Sequence, residues 1–201
     1  MQLIPAISDA GGPEPHPYTY IIKPEDEQQL HKKMLTLASD EIVAHAKQKA
    51  SQVIESLSPT PQRHTPTTGK TPTAKAPQPV FSDVQFHLLD PSISNEPVLV
   101  MTASAVMPQS KTATQPAQPY LLTLVAREDI YGDLHKMFSN ITDAQHLDVQ
   151  PRYDFIDVVD ADGDGRGELL FRKVSDTATA YVIYRVIGNQ LWALFDGPLG
   201  G

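Results

Sequence analysis

The chain has no cysteine, which excludes disulfides, thiol nucleophiles and zinc sites built on thiolates. It has no HExxH, GxSxG, Walker or dinucleotide-glycine pattern either, so the common sequence signatures of metalloproteases, hydrolases and nucleotide binders are missing. Positive charge is scarce. Sixteen Lys and Arg stand against 24 Asp and Glu, for a net charge of −8, so the clustered basic footprint of a nucleic-acid binder is not expected. The one local basic excess, Arg63, Lys70 and Lys75, is scattered through a Pro/Thr-rich stretch. No apolar run is long enough to cross a bilayer, and the opening "MQLIPAISDAGGPEPHPYTY" has no basic n-region followed by an apolar h-region. Those opening residues read like the interior of a longer chain, so an upstream leader is an expectation.

What is present divides into four parts. Residues 1–23 are rich in Gly and Pro and read as irregular. Residues 24–57 contain no glycine and have proline only at the first position, where the missing N–H costs nothing. Glu25, Asp26 and Glu27 occupy the first turn, and Leu30, Met34, Leu37, Ile42, Ala46, Ala50, Val53, Ile54 and Leu57 recur at helical spacing. This predicts one long amphipathic helix whose alanine-rich C-terminal half packs only in part. Residues 58–79, "SPTPQRHTPTTGKTPTAKAPQP", hold no large apolar side chain and predict a flexible, semi-extended linker of the kind found in bacterial envelope and secreted proteins.

Residues 80–201 turn to a period of two. "VFSDVQFHLL", "EPVLVMTASAV" and "PYLLTLVARE" read as strands, with "DPSISN" as the first turn. "EDIYGDLHKMFSNI" reads as a short helix with Ile130, Leu134, Met137, Phe138 and Ile141 on one side, weakened by Gly132. "YDFIDVVD", "ELLFRKV", "AYVIYRVI" and "QLWALFD" then form a four-stranded antiparallel meander, with Gly188-Asn189 as a two-residue hairpin signal. Both faces of its last strands are apolar, which predicts a sheet covered on both sides. Trp192, Phe195, Tyr181 and Tyr184 are expected in cross-strand core packing. The fold class is α+β: a long N-terminal helix and a β-rich antiparallel domain ending in the meander.

The chemistry concentrates in "VVDADGDGRGELLF", where aspartates occupy alternate positions. Counting from Asp160, the acids Asp160, Asp162 and Asp164 take positions 1, 3 and 5, Gly165 takes 6, Arg166 takes 7 and Glu168 takes 9. Alternate carboxylates curling round a glycine-permitted turn can deliver several hard oxygens to one cation, and position 7 needs to offer only a carbonyl. An EF-hand would need an acid at position 12, where Phe171 stands, and helices on both flanks, where strands are predicted. A bare turn, with the carboxylates accepting backbone N–H groups, is the alternative without a metal.

The spacing D-x-D-x-D-G-x-x-[DE] before an apolar strand resembles the FG-GAP/VCBS type of calcium loop in β-propeller blades. The resemblance covers residues 153–174 and implies calcium held by Asp160, Asp162, Asp164, the carbonyl of Arg166, and Glu168, with Glu168 replacing the family's shorter aspartate. A propeller needs several blades and only one loop is present, so a single blade-like meander is built into another domain. The C-terminal region is also similar to bacterial envelope proteins carrying such segments. For one loop of this kind, affinity on the order of 10⁻⁴ to 10⁻³ M is expected.

Of the remaining candidates, His31, His45 and His64 are expected to be solvated, while the fold could bring His87, His135 and His146 together. Asp154 and Asp157 are expected on the solvent face, and the "NIT" at Asn140 is discounted as a glycosylation acceptor. The functional expectation is non-enzymatic: a calcium-stabilised structural or interaction module of a periplasmic or secreted protein, with an unidentified envelope partner. The competing classes are an accessory domain of a hydrolase or carbohydrate-active protein, and an Asp/Gly-rich turn with no metal.

Overall fold

A computed structural model describes residues 16–56, 77–108 and 117–199. The expectations for residues 1–15, most of the Pro/Thr linker (with His64, Arg63, Lys70 and Lys75), and part of the polar connection after residue 106 lie outside the described residues. The chain begins with α1 (Pro24–Ser56), followed by β1 (Val80–Leu89), β2 (Val98–Val106), β3 (Tyr120–Glu128) and β4 (Leu134–Asp143). The second half is β5 (Arg152–Val159), β6 (Glu168–Val174), β7 (Thr179–Ile187) and β8 (Gln190–Asp196). They form two four-stranded antiparallel sheets, β1-β2-β3-β4 and β5-β6-β7-β8, each a meander in sequence order.

The layering follows from side-chain alternation. In β2, β3 and β4, Leu99, Met101, Leu122, Leu124 and Ile141 face α1, which buries Leu30, Met34, Ala38 and Ile42 at every fourth position. Their neighbours Val98, Val100 and Val125 point the other way, against Val158, Leu169, Phe171 and Val182 of the second sheet. The first sheet is therefore the middle layer, buried on both faces, which is why β2 is a near-continuous apolar run. Phe171 is fully buried, with the rings of Phe138, Tyr153, Phe155 and Tyr184 between 5.5 and 6.4 Å from its own. Beyond Ile42, helix residues such as Ala46 and Ala50 are half-buried or exposed, matching the partial packing expected of the alanine-rich half.

One predicted element changes type: "EDIYGDLHKMFSNI" is a tight turn followed by β4, not a helix. Asp129 builds the turn by accepting the N–H groups of Tyr131 and Asp133 on its carboxylate, and Gly132 takes φ +82°, a left-handed value that no helix uses. The helical spacing of the apolar residues has a different cause. A bulge opposite Val125/Ala126 inserts Met137 and shifts the phase of β4. Leu134 and Ile141 thus serve the helix-facing core, while Phe138 serves the core between the sheets.

A second expectation also fails. Among the described residues the second sheet is covered on one face only: Tyr184 packs inward, but Tyr181, Trp192 and Phe195 are exposed on the outer face. The first sheet occupies one side of it, and α1 is spent on the far side of the first sheet.

Candidate metal centre

The acidic loop joins β5 to β6, with Asp160 just past the end of β5 and Glu168 the first residue of β6. Its backbone is folded by its own carboxylates. Asp160 Oδ1 accepts the N–H of Gly163 at 2.7 Å and Oδ2 that of Gly165 at 3.0 Å, while Asp164 Oδ1 accepts the N–H of Arg166 at 2.9 Å. Gly163 and Gly165 both have left-handed φ (+78° and +83°), which lets the chain curl twice within three residues. The hydrogen bonds that a bare acidic turn would make are therefore present.

The loop is also anchored to the rest of the fold. Gly167 donates its N–H to the carbonyl of Pro91, in the turn between β1 and β2, at 2.7 Å. That turn is itself shaped by Asp90, whose carboxylate accepts the N–H groups of Ser94 and Asn95. A Cβ on Gly167 would lie 2.3 Å from Val158 Cγ1 and 3.1 Å from the ring of Tyr18, so only glycine fits this crossing. Tyr18 is buried and its hydroxyl reaches the carbonyl of Gly165 at 3.5 Å. Burial first, and then the charges of Asp160, Glu168 and Asp164, push its phenol pKa up.

Of the sequence-predicted ligands, the structure brings three together. Carboxylate oxygens of Asp160, Asp162 and Glu168 lie within 4.8 Å of one another, and Glu168 is completely buried. Its extra methylene, relative to the aspartate of the resembling loops, lets the carboxylate reach back from β6 to the loop's start, where Oε2 accepts the N–H of Ala161 at 2.8 Å. Asp164 stands at the margin of this group. Arg166 is exposed, and among the contacts of the described residues it enters through its N–H alone.

Arg185 is the residue that sequence reasoning missed. It lies on β7 directly across from Glu168, and its Nη2 is 2.6 Å from Glu168 Oε1, 2.8 Å from Asp162 Oδ2 and 3.3 Å from Asp164 Oδ2. A second donor, Nε, meets the same Glu168 oxygen at 2.9 Å. Hydrogen bonding to Glu168 is the main cause that raises the guanidinium pKa, followed after a desolvation penalty by Asp162. One protein cation thus pairs with three loop carboxylates. The available signal was a single charge inside the apolar strand "YVIYRVI", but its register against Glu168 is set only by the pairing of β6 and β7.

The histidines do not converge. His135 pairs with Asp129 at 2.8 Å and His146 with Asp143 at 2.6 Å, at opposite ends of β4, while His87 packs its ring 4.7 Å from Phe155. His31 and His45, expected in solvent, instead pack on Phe86 and Tyr120, and burial lowers the pKa of His45. Asp157 is exposed, as expected, and lies 3.4 Å from His16, whereas Asp154 is held by Arg152 and Arg172. Asn140 is buried in β4, which agrees with discounting it as a glycosylation acceptor. Comparison of the chain with protein-family models, curated proteins and solved structures returned no match.

Proposed function

We propose that this chain is a non-enzymatic structural or interaction module whose acidic loop takes calcium, the ion tying the end of β5 to the start of β6. The observation that carries the reading is the convergence of Asp160, Asp162 and Glu168 oxygens within 4.8 Å around a fully buried glutamate. Calcium suits the loop better than magnesium, because one short segment with variable coordination does not make the octahedral cage that magnesium demands. The Pro/Thr-rich residues 58–79 accord in composition with an exported or envelope-associated protein.

Arg185 supports a second reading, in which its guanidinium alone holds the loop carboxylates together and no metal is used. The two differ in what calcium does. Under the calcium reading Arg185 yields its carboxylates to the ion, and thermal unfolding in about 10 mM calcium rises above that in EDTA. With affinity on the order of 10⁻⁴ to 10⁻³ M, the gain is roughly 1.4–2.7 kcal/mol, or several degrees for a chain of this size. Magnesium gives less, and Asp162→Ala removes the shift. A melting temperature unchanged by calcium rejects the calcium reading in favour of the arginine-held turn.

A further inference from the structure

Among the described residues, one broad apolar face has nothing packed on it. Leu169, Phe171, Val182 and Tyr184 point into the core between the sheets, so alternation turns Leu170, Tyr181, Ile183 and Ile187 to the outer side of the second sheet. Across β7 and β8, Phe195 pairs with Ile183 and Trp192 with Arg185, which places both aromatic rings on that outer side. Trp192 is 64 % exposed, Ile187 54 %, Phe195 52 % and Tyr181 49 %. Scattered exposed apolar residues are ordinary, but a contiguous patch across three adjacent strands marks an interaction surface.

We propose that this face is the interface of a homodimer, in which two copies pack the outer faces of β5–β8 against each other about a two-fold axis. Area is the first argument. At roughly 150–250 Å² for a fully buried large side chain, the four half-exposed ones offer about 400 Å² per copy; Leu170, Ile183 and the aliphatic stems of Arg172 and Arg185 bring the face to about 600 Å² and the pair to about 1,200 Å², the lower bound of specific interfaces. Charge is the second. The arginines on the face already have partners within the chain: Arg172 pairs with Asp154 at 2.9 Å, and Arg185 with Glu168, Asp162 and Asp164. With no metal in the loop, both arginines enter the contact already ion-paired, and they leave a charged partner little to recognise. What remains is an apolar surface whose best complement is another of its kind, and a two-fold contact supplies one. Sheet-on-sheet packing of this sort already holds the two sheets of one copy together, and it repeats across the axis without any change of backbone.

The chain's only tryptophan, Trp192, lies in the patch and reports on it. Sedimentation of the full chain between about 0.1 and 200 μM should show conversion from monomer to dimer, the micromolar range being where an interface of this size falls. Trp192 emission should move to shorter wavelength over the same range. Trp192→Lys should weaken association by at least about 30-fold, as expected for an aromatic anchor. Tyr181→Lys, which keeps the reporter, should abolish the spectral shift, and circular dichroism would verify that both variants fold. Because each copy carries a net charge of −8, raising the salt concentration should strengthen the dimer. A chain that stays monomeric throughout overturns the proposal. So does a dimer that survives both substitutions or dissociates in salt. A Trp192 shift that appears only with vesicles of phosphatidylcholine and phosphatidylglycerol also overturns it, and reassigns the face to a lipid surface.

Discussion

Replacing Glu168 by glutamine removes one negative charge while keeping the side chain's length and shape. In the parent, Oε2 accepts the Ala161 N–H and Oε1 accepts two donors from Arg185, at 2.9 and 2.6 Å, in a position with no solvent exposure. A glutamine can keep one of these contacts through its carbonyl, but its amide then confronts the other partner with a donor. Removing one member of a buried pair costs about 3–5 kcal/mol when the other charge is left stranded. Arg185 is not fully stranded: it keeps Asp162 and Asp164, and its side chain is 21 % exposed. The cost should therefore fall to about 2–3 kcal/mol. At roughly 2–4 °C per kcal/mol for a domain of this size, the melting temperature should drop by about 4–12 °C. Thermal unfolding followed by circular dichroism measures this directly, with EDTA present to keep metals out of the comparison. The companion variant Arg185→Met should also melt lower in EDTA, because the loop carboxylates then repel one another, and calcium should restore it. A Glu168→Gln variant within about 1 °C of the parent would refute the reasoning, since the buried carboxylate would then not be the hub of the loop.

Two further outcomes are expected. Asp143 is buried at the end of β4; burial alone would raise its pKa, but hydrogen bonds from His146, Lys49 and the Gln145 N–H outweigh it and hold the pKa at about 2, below the 3.8 of an unperturbed aspartate. A depressed carboxylate stabilises the fold above its unfolded pKa and loses that contribution as pH falls. About 1–2 kcal/mol should thus disappear between pH 4 and 2, less than the full shift implies because Lys49 and His146 are themselves half exposed. Asp143→Asn should flatten this part of the stability–pH curve, and an unchanged slope would count against the pairing. Gly167→Ala should cost about 1–3 kcal/mol in urea unfolding, because the new methyl meets Val158 Cγ1 at 2.3 Å; a change under about 0.5 kcal/mol would mean that the crossing relaxes freely.

Much of the architecture is legible in the sequence. Proline at the first turn, acids behind it and apolar residues at helical spacing mark α1, and alternation with turn residues marks seven of the eight strands within two residues of their ends. The eighth, β4, reads as a helix because its bulge gives a strand a helix's apolar spacing. In the site, local spacing identified Asp160, Asp162 and Glu168, which the structure gathers. It also identified Asp164 and Arg166, which remain at the margin or contribute only backbone.

The sequence by itself determined the elements whose signals are local: the helix, the hairpins, and an acidic loop whose carboxylates must fold back on nearby N–H groups. Only the tertiary structure decided which strand lies beside which, and hence that Arg185 sits across from Glu168. It also decided that Tyr18 and Pro91 brace the loop from far along the chain. The exposed aromatic face has the same origin. An apolar strand face reads identically whether a layer covers it or not, and layer order depends on where the single helix is placed. Here α1 covers the first sheet and leaves the outer side of the second without a packed layer among the described residues.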